Sequence, residues 1–179
     1  MIETEIPLLG FAARSGTGKT ALLRALIPLL RDAGVRVGVV KHTHHDFEID
    51  KPGKDSYELR KAGACETILA SGNRWALISE REAAGDPDLL EVVDRLDQSR
   101  LDLILVEGFK HELIPKVELY RSALDADYLY PDDPLIIALA ADTVPRGGRA
   151  NALLDINNVG EIAAFVLSWI GKDSSSLEE

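Results

Sequence analysis

The stretch Ala13-Arg14-Ser15-Gly16-Thr17-Gly18-Lys19-Thr20 follows an apolar run, Ile6 to Ala12, and precedes a run with helical periodicity. It has the form of a phosphate-binding loop, (A/G)-x-x-x-x-G-K-T, in the strand-before, helix-after setting that the motif requires. Glycines at 16 and 18 permit positive φ and let a phosphate approach the backbone N–H groups. Lys19 offers a cation to β- and γ-phosphates, and the Thr20 hydroxyl suits a Mg²⁺ ligand. The start of a helix adds unpaired N–H groups and its dipole. Ser15, Gly16, Thr17, Gly18, Lys19 and Thr20 are therefore the nucleotide-binding candidates. Ala13 stands where the first glycine of the pattern usually sits. The pattern predicts that the chain binds a nucleoside triphosphate with Mg²⁺.

Ligands of open α/β sheets collect at the carboxyl ends of strands, and three more polar clusters fall at such places. The first is Lys41-His42-Thr43-His44-His45-Asp46, after a predicted second strand. Anion or substrate contact by Lys41, His42, His44 and His45, a transition-metal site and a solvated loop all fit these residue types. The second is Glu107-Gly108-Phe109-Lys110-His111, after the apolar run Leu101–Val106. An acid in this position would reach Mg²⁺ or orient an attacking water, which makes Glu107 the catalytic candidate. The plainer alternative is a strand-end carboxylate paired with Lys110 or capping backbone. Asp102 lies at the start of the same strand and is the weaker choice. The third is Asp142, after Leu135–Ala141, where a carboxylate accepts two hydrogen bonds from guanine or caps its own loop. Asp50-Lys51-Pro52-Gly53-Lys54-Asp55 is a charged turn that either folds over phosphates, through Asp50 and Lys54, or is solvated. Arg14 is either a surface arginine or the counterpart of a lysine that reaches the partner's nucleotide in dimeric ATPases with a deviant loop.

The elements that must position these residues follow from periodicity. Lys19 to about Asp32 reads as a helix with Leu22, Leu23, Leu26, Ile27 and Leu30 on one face, kinked or shortened at Pro28. Val35–Val40 reads as a strand, and Asp55 with Glu58 as the capping box of a short helix ending near Gly63. Glu66–Ala70 and Arg74–Ser79 flank a Ser-Gly-Asn turn and predict a hairpin. Asp86-Pro87 opens a helix carrying Leu89, Leu90, Val93 and Leu96. Lys116–Tyr120 reads as an edge strand, Leu135–Ala140 as a buried one, and Asn158 with Glu161 caps a last helix through Trp169. Strands alternating with helices predict a doubly wound, mostly parallel α/β sheet with helices on both faces, extended by the antiparallel hairpin.

The chain has 179 residues, 46% of them hydrophobic, a formal net charge of −10 and a single cysteine. That size and composition predict one domain over residues 1–171 and a frayed tail over 172–179. The acidic balance argues against nucleic acid, no apolar run approaches a membrane span, and the lone Cys65 fits a reducing cytoplasm.

Four blocks together resemble a known family. Ser15-Gly16-Thr17-Gly18-Lys19-Thr20, Lys41-His42-Thr43-His44-His45-Asp46, Asp50-Lys51-Pro52-Gly53-Lys54-Asp55-Ser56-Tyr57 and Leu105-Val106-Glu107-Gly108-Phe109-Lys110 look like the molybdopterin-guanine dinucleotide biosynthesis adapter family, MobB. The likeness runs from about Ile6 to Trp169. It implies a P-loop fold, GTP and Mg²⁺ as ligands, weak GTPase activity and a homodimer whose shared sheet includes the hairpin. It further implies assistance to the molybdenum cofactor guanylyltransferase, which joins GMP to molybdopterin. By the same resemblance, the histidine block and the Asp50–Asp55 turn lie near the nucleotide or the pterin phosphate. The residues by themselves leave two alternatives open: a metal-insertion GTPase of the metallochaperone class, and a small-molecule kinase using Arg121 or Arg146.

Overall fold

A short run of apolar and small residues with no charge can be buried on both sides of a sheet, and Leu8–Ala13 forms such a strand, β1, in the computed structural model of the protein. The structure describes residues 4–43, 47–81, 85–145 and 152–173. They group into two compact units, Thr43–Pro87 and the combination of Met1–His42 with Asp88–Glu179. In the larger unit β1 leads into α1, Lys19–Asp32, and then β2, Val37–Lys41. The smaller unit holds α2, Asp55–Lys61, and a hairpin of β3, Glu66–Ala70, with β4, Trp75–Ser79. The larger unit resumes with α3, Leu89–Val93, β5, Leu103–Glu107, and β6, Lys116–Tyr120. It closes with β7, Ile136–Ala141, β8, Leu153–Asp155, and α4, Val159–Trp169.

Six strands form one sheet in the order β2-β5-β1-β6-β7-β8, and every neighbouring pair is parallel. The doubly wound fold read from the sequence is borne out, and among the described residues antiparallel pairing is confined to the separate β3–β4 sheet. The order reverses beside β1, and the carboxyl ends flanking such a reversal are where ligands of this architecture bind. Successive residues of β1 and β5 serve opposite faces. Leu9, Phe11, Leu103 and Leu105 join the leucines of α1 and the apolar face of α4. Leu8, Ile104 and Val106 pack instead with Leu89 and Val93 of α3.

Several elements differ from expectation, each for a physical reason. Helix α1 does not stop at Pro28; the proline is exposed, so the hydrogen bond it cannot donate is lost on the solvent side. The helix runs on to Asp32, as its periodicity predicts, and closes at Gly34, where Gly34 N–H bonds Arg31 O and Val35 N–H bonds Leu30 O, a Schellman arrangement. Helix α2 begins with Lys54 at its cap, so Asp55 lies within the helix and Glu58 accepts from Gly53 N–H at 3.3 Å. Helix α3 is capped by Asp88, whose carboxylate accepts from Leu90 and Glu91 N–H, and not by Asp86-Pro87. Strand β8 is three residues long and was not expected.

The largest correction concerns β6. It is an interior strand between β1 and β7, although its sequence, Lys-Val-Glu-Leu-Tyr, alternates like an edge. Lys116 and Glu118 share one face and are each 2% exposed. Lys116 Nζ is 3.0 Å from Asp133 Oδ2, and Glu118 accepts from the N–H groups of Leu129 and Tyr130 at 2.7 and 2.8 Å. The segment after β6 thus covers that face through polar anchors. Burial pushes the Glu118 carboxyl above the usual range, opposed by the two backbone donors.

In the smaller unit, Arg60 is buried and pairs with Glu48, with Asp50 at 2.8 Å and with Glu80 at 2.6 Å. Among these carboxylates only Asp50 is buried as well.

The register of β2 on β5 is tied at its start by Arg36 and Asp102. The carboxylate of Asp102 accepts from Arg36 N–H at 2.8 Å and from its guanidinium at 3.0 and 3.1 Å. These bonds, with the guanidinium first, hold the Asp102 carboxyl at about 2. A depressed folded-state value stabilises above the ordinary aspartate range and loses that contribution as pH falls through the folded value. Asp102→Asn should therefore lower the urea midpoint at about pH 7, and the deficit should shrink as pH falls from about 4 toward about 2. Urea titrations of both proteins across that window check it; a deficit independent of pH would assign the loss to packing.

Candidate functional site

The phosphate loop follows β1 directly. Gly16 has φ 81° and Gly18 φ 98°, the left-handed backbone that the pattern called for. Thr17 is buried, and its hydroxyl donates to Arg14 O at 2.7 Å, so its side chain shapes the loop. Gly18 caps α1, the first turn contains no acid, and no side chain caps the helix. The N–H groups that begin a helix have no partner within it, and such a start, with the dipole behind it, is suited to an anion. Lys19 Nζ reaches back to Ala13 O at 3.2 Å, and Arg14 and Ser15 are exposed.

Beside the loop stands Glu107, the last residue of β5, 9% exposed. Parallel pairing sets Phe11 of β1 and Lys41 of β2 opposite it. Its Oε1 lies 3.4 Å from Thr20 Oγ1 and its Oε2 lies 3.5 Å from Lys41 Nζ. A hydroxyl and a carboxylate converging beside a phosphate loop are hard oxygen ligands of the kind Mg²⁺ takes, so these two residues fit the ion. Glu107 pairs with Lys41 and not with Lys110, which is exposed.

Gly108 makes this junction possible. Its φ is 97°, and a Cβ there would sit 2.9 Å from His42 O and 3.0 Å from His42 Cβ. The close approach lets His42 N–H donate to Glu107 O at 2.8 Å, and brings the His42 ring within 5.0 Å of the Phe109 ring. Lys41 and His42 are thus gathered to the end of β5. His44 and His45 lie outside the described residues.

On the other side of β1, the residues after β6 meet the loop and the end of β7. Arg121 Nε donates to Thr17 O at 3.3 Å and Nη1 to Asn157 Oδ1 at 3.1 Å. Asp142 is exposed, and its carboxylate accepts from Ser122 N–H at 2.8 Å and Ser122 Oγ at 3.2 Å. It therefore holds the turn after β6. Asp50 and Lys54 belong to the smaller unit, Asp50 against Arg60 and Lys54 at the cap of α2. Sequence reasoning assigned no part in this site to Ser122 or Asn157, and named Arg121 only as a candidate for a kinase. The available signal was position: Arg121-Ser122 stands at the carboxyl end of a strand, where ligands gather.

Comparison with known proteins gives one consistent likeness. Residues 8–142 match the family described as molybdopterin guanine dinucleotide synthesis protein B. The molybdopterin-guanine dinucleotide biosynthesis adapter protein of Escherichia coli K12 is 54% identical over 176 residues, covering 96% of this chain and 98% of that protein. The protein of the same description from Haemophilus influenzae is 41% identical over 94% of this chain and 92% of its own. A crystal structure of molybdopterin-guanine biosynthesis protein B superposes with a TM-score of 0.70 at 26% identity, covering 90% of this chain and 99% of that one.

The Thr20–Glu107 pair generates a direct test. Glu107→Gln keeps the size and an oxygen near Thr20 but removes the charge. Mg²⁺-dependent nucleoside triphosphate hydrolysis should fall by roughly tenfold or more, as for a lost contact to a charged group. Nucleotide binding measured in EDTA should stay as in the unmodified chain. Loss of binding in EDTA would instead make Glu107 a support of the loop.

Proposed function

Because the chain belongs to the molybdopterin guanine dinucleotide synthesis protein B family, we propose that it is a GTP-binding adapter assisting the guanylyltransferase that joins GMP to molybdopterin. At the coarser level it is an adapter of molybdopterin-guanine dinucleotide biosynthesis, as its relatives are described. The observation that carries the nucleotide part is the convergence of Thr20 and Glu107 at 3.4 Å beside an uncapped helix start with Gly16 and Gly18 at positive φ. Backbone N–H groups of the loop and Lys19 hold the phosphates, and Thr20 with Glu107 holds Mg²⁺. The ion neutralises charge on the β- and γ-phosphates when bound.

Guanine is the base we assign, through Asp142. A carboxylate that already accepts from Ser122 keeps lone pairs for the N1 and N2 hydrogens of guanine, and adenine has no matching pair of donors on that edge. Hydrolysis is slow in this proposal, because no motif supplies a glutamine to orient water or an arginine to stabilise the developing charge. Lys41, His42, His44, His45 and Lys110 are the proposed contacts to nucleotide or pterin phosphate. The functional unit is a homodimer in the cytoplasm. Among the described residues, no helix is long and apolar enough to cross a membrane.

Lys19→Ala should leave the fold intact and reduce GTP affinity by roughly ten- to a thousandfold, the scale of one charge-assisted contact in such a site. The same variant should lose its stimulation of guanylyl transfer by the partner enzyme. Full stimulation by a folded variant that no longer binds GTP would take nucleotide out of the adapter role. Asp142→Asn should narrow the GTP-over-ATP preference by about 1.5–3 kcal/mol, the range for hydrogen bonds to a charged group. It should also raise affinity for xanthosine triphosphate, whose C2 carbonyl accepts from the new amide. Competition titrations with the three nucleotides read both effects, and an unchanged GTP/ATP ratio removes Asp142 from the base site.

A further inference from the structure

Two adjacent residues at the end of β6 grip three different loops. Arg121 bonds the carbonyl of Thr17 in the phosphate loop and the side chain of Asn157 in the turn between β8 and α4. Ser122 holds the carboxylate of Asp142 through both its N–H and its hydroxyl. Each of the points Arg121 touches is fixed from elsewhere. Thr17 is 3% exposed and is bound through its own hydroxyl and N–H to Arg14 O at 2.7 and 3.4 Å. Asn157 N–H donates to Asp155 Oδ1 at 2.8 Å, and Asn158 N–H to Asp155 O at 3.0 Å. Asp155 N–H donates to Glu161 Oε2 at 3.2 Å, and Glu161 N–H to Asn158 Oδ1 at 3.1 Å. A guanidinium with several donors in one rigid plane is suited to join two fixed acceptors in a way that a lysine is not.

We propose that Arg121 is a positioning residue for nucleotide specificity: it ties the phosphate loop to the β8–α4 turn, and through Ser122 it fixes where Asp142 stands relative to the phosphates. The proposal rests on reading the loop as a GTP site and Asp142 as its base contact. A bound nucleotide is a rigid ruler between those two places. GTP makes both the phosphate contacts and two hydrogen bonds to Asp142, whereas ATP makes only the former. Loosening the link misplaces Asp142 and costs GTP the bonds that ATP never had. The signature is a change in the ratio of the two affinities. A brace that merely keeps the loop folded would weaken both nucleotides alike.

The experiment is a calorimetric titration of GTP and ATP, with Mg²⁺, into the unmodified chain, Arg121→Ala, Arg121→Lys and Asn157→Ala. Arg121→Ala should lower the GTP/ATP affinity ratio by roughly three- to tenfold, a partial loss of the bonds to a charged acceptor. Arg121→Lys keeps the charge but not the fork, and should behave as Arg121→Ala does. Asn157 is exposed, so its truncation removes one end of the link without touching the phosphate loop, and should lower the ratio as well. If Arg121→Ala does not fold, Asn157→Ala decides. An unchanged ratio in the folded variants overturns the proposal, whether both affinities fall together or neither moves. So does recovery of the ratio by lysine, which would make charge the operative property. An unmodified chain that binds no GTP, or binds it no better than ATP, overturns the underlying reading instead, and the titration of the unmodified chain tells the two failures apart.

Discussion

Parallel pairing of β2, β5 and β1 in one register is the constraint from which the site descends. With Val37 opposite Leu103, Lys41 must lie opposite Glu107, and with Leu8 opposite Ile104, Phe11 must lie there too. Period-two alternation along these strands sends one set of side chains toward α1 and α4 and the other toward α3. A slip of one residue would exchange the two sets, so burial on both faces enforces the register. The same register delivers Glu107 to Thr20 and Lys41 to Glu107. Packing energy is thereby converted into the position of three polar side chains that contribute little stability of their own.

The two sides of β1 are built by different means. On the β5 side the junction is tight and backbone-based, with Gly108 at positive φ against the carbonyl of His42. On the β6 side, polar residues with distant partners do the positioning. Lys116 and Glu118 anchor the segment that carries Tyr128 and Tyr130, and Tyr120 stacks on Tyr128 at 4.0 Å between ring centres. Lys116 and Glu118 are buried polar groups that each have hydrogen-bond partners, Asp133 for the one and two backbone N–H groups for the other, which is what makes their burial tolerable. That covered face lets the chain leave β6 as a fixed turn, which is why Arg121 and Ser122 can meet the phosphate loop and Asp142 at hydrogen-bonding distance.

How much of this was legible in the sequence depended on the range of the interaction. The phosphate loop, α1 and the hairpin are local, and local spacing announced them. Glu107 followed from its place at the end of an apolar strand. The interior position of β6 was hidden because its alternation is that of a half-exposed strand; the partners that bury its charges, Asp133 and the N–H groups of Leu129 and Tyr130, lie on a later segment without periodicity. Strand β8 is too short to carry a pattern. The bond from Ser122 to Asp142 joins the ends of two strands that only the sheet brings together. Asp50 was read as a residue of a charged turn, and its arginine partner comes from the helix that follows.

Arg60 gives the smaller unit an asymmetric tolerance to change. One cation serves three acids, and of these Glu48 and Glu80 are half-exposed while Asp50 is buried. Replacing either outer acid leaves the guanidinium two carboxylates and leaves water the vacated side. Replacing the arginine strands Asp50 as a buried anion with two like charges for company, the costly way to break such a group. Across related sequences, positions 48 and 80 are then free to drift singly, whereas 50 and 60 are bound to stay together or be exchanged together.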